Sequence, residues 1–302
     1  MTNDAIKKQA VFAVGTGRCG TQFLSKIMKK EPWAASHHER QPLSDTFHRF
    51  CKWYNLPIDP AGFIATKRKD IEADWTSHPV SFEASAYLSM SIEELYQHLN
   101  AKFILLIRSP EQVINSYIKK GWYSEEIHLA DPDKIPSYQP HEPRFYHFLG
   151  RTLPQGEAFA KWKAMSLVGK LAWYWRTLNE RVMQQFEQIP ESHWRVVRLE
   201  DLDYSYYQET CNFIGFPSKI SQYDYEAIAN SRPNAKGRSK TLDQWTELDI
   251  REFQQQIGNS SVSFKYLTDI DTLRKSALPV SSEEEKKSSG VKQVFTQFFF
   301  RQ

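Results

Sequence analysis

The chain has 302 residues, 40% hydrophobic and 14% aromatic, which is enough apolar material for one large α/β core. A net charge of +3 argues against a nucleic-acid partner, and no apolar run approaches the roughly 18–20 residues that a membrane span needs. Its three cysteines, Cys19, Cys51 and Cys211, are too scattered for a disulfide framework, no Cys/His cluster has metal-site spacing, and the polar start MTNDAIKKQA has no signal-peptide core, so a metal-free cytoplasmic protein is expected.

The first predicted strand covers 10–15 and ends in Gly15-Thr16-Gly17-Arg18-Cys19-Gly20-Thr21. A predicted helix, 21–30, follows at once, with Phe23, Leu24, Ile27 and Met28 on one face. A tight glycine loop between strand and helix aims backbone N–H groups and the helix N-terminus at an anion. Arg18 adds a positive charge and Thr21 a hydroxyl, which suits a phosphate or a sulfate ester. The loop departs from the nucleotide-triphosphate motif, because Thr21 and Gln22 stand where Lys and Ser/Thr should follow the last glycine. The magnesium-ligating hydroxyl is thereby lost, which speaks against a P-loop kinase.

A strand is predicted at 79–83 and a helix at 91–99. The next strand, 102–108, is a continuous apolar run, Phe103 to Ile107, suited to the interior of a parallel sheet. Arg108 stands at its carboxyl end, Ser109-Pro110 opens a helix over 110–120, and Ser116 and Lys120 lie on that helix. Ligands of open α/β sheets bind beyond the carboxyl ends of the strands, so Arg108 and the glycine loop belong on one edge. Residues 121–165 hold five prolines and many aromatics and read as a covering excursion that supplies part of a binding pocket. Helix 166–188, strand 194–199 and helices 201–215 and 247–257 complete the regular elements.

Together the two segments resemble the sulfotransferase family that uses 3′-phosphoadenosine-5′-phosphosulfate, nearer to its carbohydrate and tyrosyl-protein types. The family's 5′-phosphosulfate loop is similar to [K/R]-[S/C]-G-T-x, matched by Arg18-Cys19-Gly20-Thr21-Gln22. Its 3′-phosphate site resembles R-x-P with a Ser eight residues after the Arg and then a Tyr, matched by Arg108, Pro110, Ser116 and Tyr117. Trp194 to Leu202 and Gln208 to Phe216 extend the similarity over most of residues 10–258.

The resemblance implies a three-layer α/β fold, a central parallel sheet flanked by helices, in one domain over 1–275. It implies the phosphosulfate donor and its product, adenosine 3′,5′-bisphosphate, held by Gly17, Arg18, Cys19, Gly20, Thr21, Gln22, Arg108, Ser116 and Lys120. Lys236 and Lys240, in the basic tract RPNAKGRSK, join them as 3′-phosphate candidates, although a solvated charge run would read the same way. Arg18 would stabilise the charge that builds during transfer. A base for the acceptor hydroxyl is expected shortly after the first helix, where the chain reads Ala35-Ser36-His37-His38-Glu39-Arg40. Glu39 is the first choice, His38 the second and Glu83 the third, with Arg40 available to hold the acceptor or tune the carboxylate. Glu83-Ala84-Ser85 lacks the Lys of the glycosaminoglycan-type tract. The acceptor class stays open among glycan, peptide tyrosine and small alcohol or phenol, and a non-catalytic adenosine-bisphosphate-binding regulator is the other reading.

Beyond the domain, 281–290 reads as a flexible linker. Val291, Val294, Phe295, Phe298 and Phe299 give 291–302 an apolar helical face for the parent domain, a second subunit of a homo-oligomer or a membrane surface.

Overall fold

In the computed structural model, residues 7–123, 150–231, 242–258 and 266 are described. Lys236, Lys240 and the segments 281–290 and 291–302 lie outside them.

The elements alternate between strand and helix. In chain order they are β1 (Gln9–Val14), α1 (Thr21–Met28), β2 (Ala34–His38), α2 (Pro42–Trp53), α3 (Ala61–Asp74), β3 (Val80–Ala84), α4 (Ile92–Leu99), β4 (Lys102–Ile107) and α5 (Pro110–Ile118). After the undescribed stretch come α6 (Glu157–Ala164), α7 (Leu167–Phe186), β5 (Trp194–Arg198), α8 (Tyr204–Ile214), α9 (Gln222–Asn230) and α10 (Glu247–Gly258). Local chemistry sets several of the starts. Pro42 and Pro110 open α2 and α5, where a missing N–H is harmless. Ser166 accepts the Gly169 N–H and Asp203 the Tyr206 N–H, capping α7 and α8.

The five strands form one parallel sheet in the order β2-β3-β1-β4-β5. Phe12 of β1 is aligned with Glu83 of β3 on one side and Phe103 of β4 on the other. Both faces are covered, as an all-parallel sheet requires. Val11 and Ala13 pack with Leu24, Ile27 and Tyr207 from α1 and α8. Ala10, Phe12 and Val14 pack the opposite way, against side chains of α3, α4 and α7. A third cluster joins α5, α7 and α10 through Val113, Trp175, Leu178 and Phe253. The α/β three-layer expectation therefore holds.

The sequence reading placed four strands where the sheet has five. The additional one, AASHH, is an edge strand with no apolar run. It tolerates polar residues because they find partners: buried Ser36 donates to the Ser25 carbonyl of α1 at 2.9 Å. α2 and α3, which follow it, were not anticipated either.

β1 is the switch point of the sheet. The chain leaves it for β2 and β3 on one side, then crosses to β4 and β5 on the other. A crevice must open beyond the carboxyl ends of strands at such a point.

Candidate functional site

A cavity of about 460 Å³ occupies that crevice. Its floor is the glycine loop after β1. Gly17 and Gly20 hold φ of +80° and +104°, and Arg18 between them is also left-handed at +57°. Gly17 is boxed in by the Tyr117 hydroxyl, and a Cβ on Gly20 would meet Leu199 at 2.8 Å. Larger residues would therefore disturb the loop at both positions. Gly20 is the N-cap of α1 and has no side chain to cover the helix N-terminus, which faces the cavity through Thr21 and Gln22.

The loop is braced from beneath. Tyr117 and Tyr174 both donate their hydroxyls to the Thr16 carbonyl, at 2.5 and 2.8 Å. Ser89 Oγ donates to the Gly15 carbonyl at 2.8 Å and accepts the Gly15 N–H at 3.3 Å. The Cys19 thiol points into the core, fully buried, and burial pushes its pKa up. Its side chain is thus structural, and only its backbone stays with the loop.

The cationic wall lies on the β1 and β4 side. Arg18 Nε donates to Ser116 Oγ at 2.8 Å, and Arg108 Nη1 reaches the Arg18 carbonyl at 3.3 Å. Gln112 fixes the Arg108 guanidinium at 2.9 Å, and the Trp175 indole N–H holds the Arg108 carbonyl at 3.0 Å. Glu200, in the acidic turn after β5, accepts the Ser109 N–H at 2.8 Å and so anchors the start of α5. Gln22 and Lys120 complete this wall, and Thr21 joins it to the wall that holds His38.

The opposite wall comes from the ends of β2 and β3. Glu39 and His38 both line the cavity, with His38 Nε2 4.0 Å from a Glu39 oxygen and 3.2 Å from Thr21 Oγ1. Burial raises the Glu39 pKa, opposed first by Arg49. Burial also lowers the His38 pKa, so the imidazole favours its neutral form. Both groups are therefore shifted toward what a base near neutral pH requires.

Glu39 is held in an unusual backbone conformation, φ +49°, although it is not glycine. Such a conformation costs about 1–3 kcal/mol and persists only where the surroundings enforce it. Here the clamps are explicit. The Glu39 N–H donates to the Ala84 carbonyl and the Arg40 N–H to Glu83 Oε1, each at 3.1 Å. The Arg40 guanidinium grips both oxygens of Asp74 at 2.7 and 2.9 Å.

Two expectations are corrected by these contacts. Glu83 is unsuited to act as a third-choice base. It is 4% exposed and bound by the buried Lys67 ammonium, which lies 2.9 Å from one oxygen and 3.2 Å from the other. Arg40 does not reach toward Glu39 or an acceptor, because Asp74 takes it.

Lys67 also holds Asp45 at 2.7 Å, making a buried triad of one cation and two carboxylates. Burial opposes the Lys67 charge, but Glu83 and Asp45 outweigh it and raise its pKa. Burial pushes the Asp45 carboxyl up to about 7.

Sequence reasoning missed Arg49, Lys26, Tyr87 and Arg151 as cavity residues. Arg49 had no visible signal. It lies on the core-facing side of α2, a helix that itself went unread.

No described helix is long and apolar enough to cross a membrane. No group of His, Cys, Asp and Glu among the described residues is placed to hold a metal.

No family model and no curated protein matches the chain. Among solved structures, it is similar to the sulfotransferase domain of the Synechococcus PCC 7002 olefin synthase. That likeness has a TM-score of 0.41 at 15% identity, over 93% of this chain and 98% of that one. It is also similar to the sulfotransferase domain of the curacin biosynthetic pathway, with a TM-score of 0.44 at 14% identity, over 94% of this chain and 98% of that one.

Proposed function

We propose that the chain transfers a sulfuryl group from 3′-phosphoadenosine-5′-phosphosulfate to an acceptor hydroxyl. The observation that carries this reading is one cavity with two unlike walls. Arg18, Arg108 and Lys120 stand on one side, and Glu39 with His38 on the other. The donor is an extended polyanion, and the cavity suits it. The loop leads into a helix N-terminus, cations line the space, and Glu39 is the cavity's one carboxylate among the described residues.

Gly17 through Gln22 would hold the 5′-phosphosulfate, and Arg108 with Ser116 the 3′-phosphate. When bound, the donor supplies an activated sulfuryl group. Arg18 lies at the loop's crest, where negative charge builds on the departing phosphate, and a fixed guanidinium there lowers the barrier. Glu39 takes the acceptor's proton, and neutral His38 is the neighbouring alternative. Positioning and charge stabilisation suffice for in-line transfer of this kind.

The test is transfer of label from a ³⁵S-labelled donor to an acceptor library, run with and without a magnesium chelator. Transfer that survives chelation supports the reading. Label transfer from γ-labelled ATP instead would replace it with a kinase. Tight binding of adenosine 3′,5′-bisphosphate with no turnover on any acceptor would favour a regulator.

A further inference from the structure

The cavity holds more positive charge than the donor wall accounts for. Arg49 of α2 is 1% exposed, yet it lines the cavity. Its Nη1 donates to the Ala86 carbonyl at 3.0 Å. Its Nη2 donates to the Gly150 carbonyl at 2.7 Å and lies 3.5 Å from the Tyr174 hydroxyl. All three partners are neutral. Arg49 forms no ion pair among the described residues, and its buried Nε has no hydrogen-bond partner there. Buried charges are ordinarily paired, because an unpaired one leaves a large desolvation penalty uncompensated. Asp45, on the same helix one turn earlier, turns instead to Lys67.

Arg49 comes from a different part of the fold than the arginines assigned to the donor. Arg108 and Ser116 belong to the β4 side of the loop. Arg49 is anchored to Ala86, just after β3, on the side that carries Glu39. Its guanidinium carbon lies 5.8 Å from the Tyr87 ring centre. Nearby, Arg151 stands 5.5 Å from the Trp122 ring centre, and both rings line the cavity. The cavity thus has two aromatic rings, Tyr87 and Trp122, each with an arginine set against it. Glu39 does not neutralise Arg49, because no ion pair joins them, although the Arg49 charge is felt at its carboxylate.

We propose that the acceptor carries a carboxylate on an aromatic or similarly apolar body, and that Arg49, assisted by Arg151, receives that carboxylate. The proposal rests on the sulfuryl-transfer reading of the same cavity. A planar guanidinium on the cavity wall matches a carboxylate, and stacking on Tyr87 and Trp122 would orient the acceptor hydroxyl toward Glu39.

The test is calorimetric titration of the full chain, saturated with adenosine 3′,5′-bisphosphate, with two near-isosteric phenols, 4-hydroxyphenylacetate and 4-hydroxyphenylacetamide. The acid should bind at least about tenfold more tightly than the amide, the effect of one charge-assisted hydrogen bond. Arg49→Met should bring the ratio close to one. Arg151→Met, nearer the rim, should lower it partway and serves as the second variant should Arg49→Met not fold. Arg49→Lys should keep part of the preference. Equal binding of acid and amide, or no binding of the acid, overturns the proposal while leaving sulfuryl transfer standing. Failure of adenosine 3′,5′-bisphosphate to bind at all overturns the sulfuryl-transfer reading instead.

Discussion

Arg18 Nε and Ser116 Oγ are 2.8 Å apart, linking the glycine loop to the last turn of α5. The two residues were expected at opposite ends of the donor, one at the sulfuryl group and one at the 3′-phosphate. Their contact makes the loop and α5 a single electrostatic unit, with Arg108 joined to it through the Arg18 carbonyl.

Arg18→Ala should lower kcat strongly and donor affinity less, because negative charge collects beside it chiefly in the transition state. Single-turnover rates measured beside equilibrium binding of adenosine 3′,5′-bisphosphate make the comparison. Unchanged kcat at saturation with collapsed affinity would reduce Arg18 to a binding residue.

Arg108→Ala should weaken adenosine 3′,5′-bisphosphate far more than adenosine 5′-phosphate. Loss of a charged hydrogen bond costs about 1.5–3 kcal/mol, or roughly 10- to 150-fold in affinity. Equal losses for the two nucleotides by calorimetry would place the 3′-phosphate elsewhere.

Glu39→Gln should reduce kcat by about 10²–10⁴-fold with donor binding intact. His38→Ala should reduce it less. Since burial raises the Glu39 pKa above its ordinary 4.5, the acid limb of the kcat profile should lie above that value, with activity lost as pH falls through it. Arg49→Met should move the limb further up, because the largest charge opposing the rise is then gone. The effects should be read on an aliphatic hydroxyl, since an acidic phenol needs less help from a base. A profile unaffected by either Glu39→Gln or His38→Ala would remove both from the base role.

Asp45→Asn should flatten the pH dependence of stability. The folded Asp45 pKa, about 7, lies above its ordinary 3.8, so the folded chain holds its proton more tightly than the unfolded chain does. That contribution is fully present below pH 3.8 and is lost as pH rises through about 7. Urea titrations at several pH values, wild type minus variant, should show this slope. The removal of one buried partner in Lys67→Met should destabilise the fold by about 3–5 kcal/mol.

Much of the cavity's cationic wall was legible in the sequence because its signals are local. A glycine loop between an apolar run and an amphipathic run, and an arginine ending a second apolar run, each declare a strand end. Glu39 and His38 were legible as residue types, but their conformation was not. Nothing in His-His-Glu-Arg announces a left-handed glutamate, because the clamps come from Glu83, Ala84 and Asp74, far away in sequence. The strand before them was hidden for the same reason. Ala34–His38 has no apolar run, and its polar residues settle in the sheet only through partners such as Ser25. Arg49 was the hardest to see, since a buried arginine held by carbonyls has no sequence pattern at all.

The sheet order has an evolutionary consequence. Residues proposed to grip the nucleotide follow β1 and β4, whereas those proposed to face the group to be modified follow β2 and β3 or come from α2, and the two sets touch where Thr21 meets His38 at 3.2 Å. Directed libraries confined to codons 87 and 151 should therefore diversify the modified compounds while sparing every residue that follows β1 or β4.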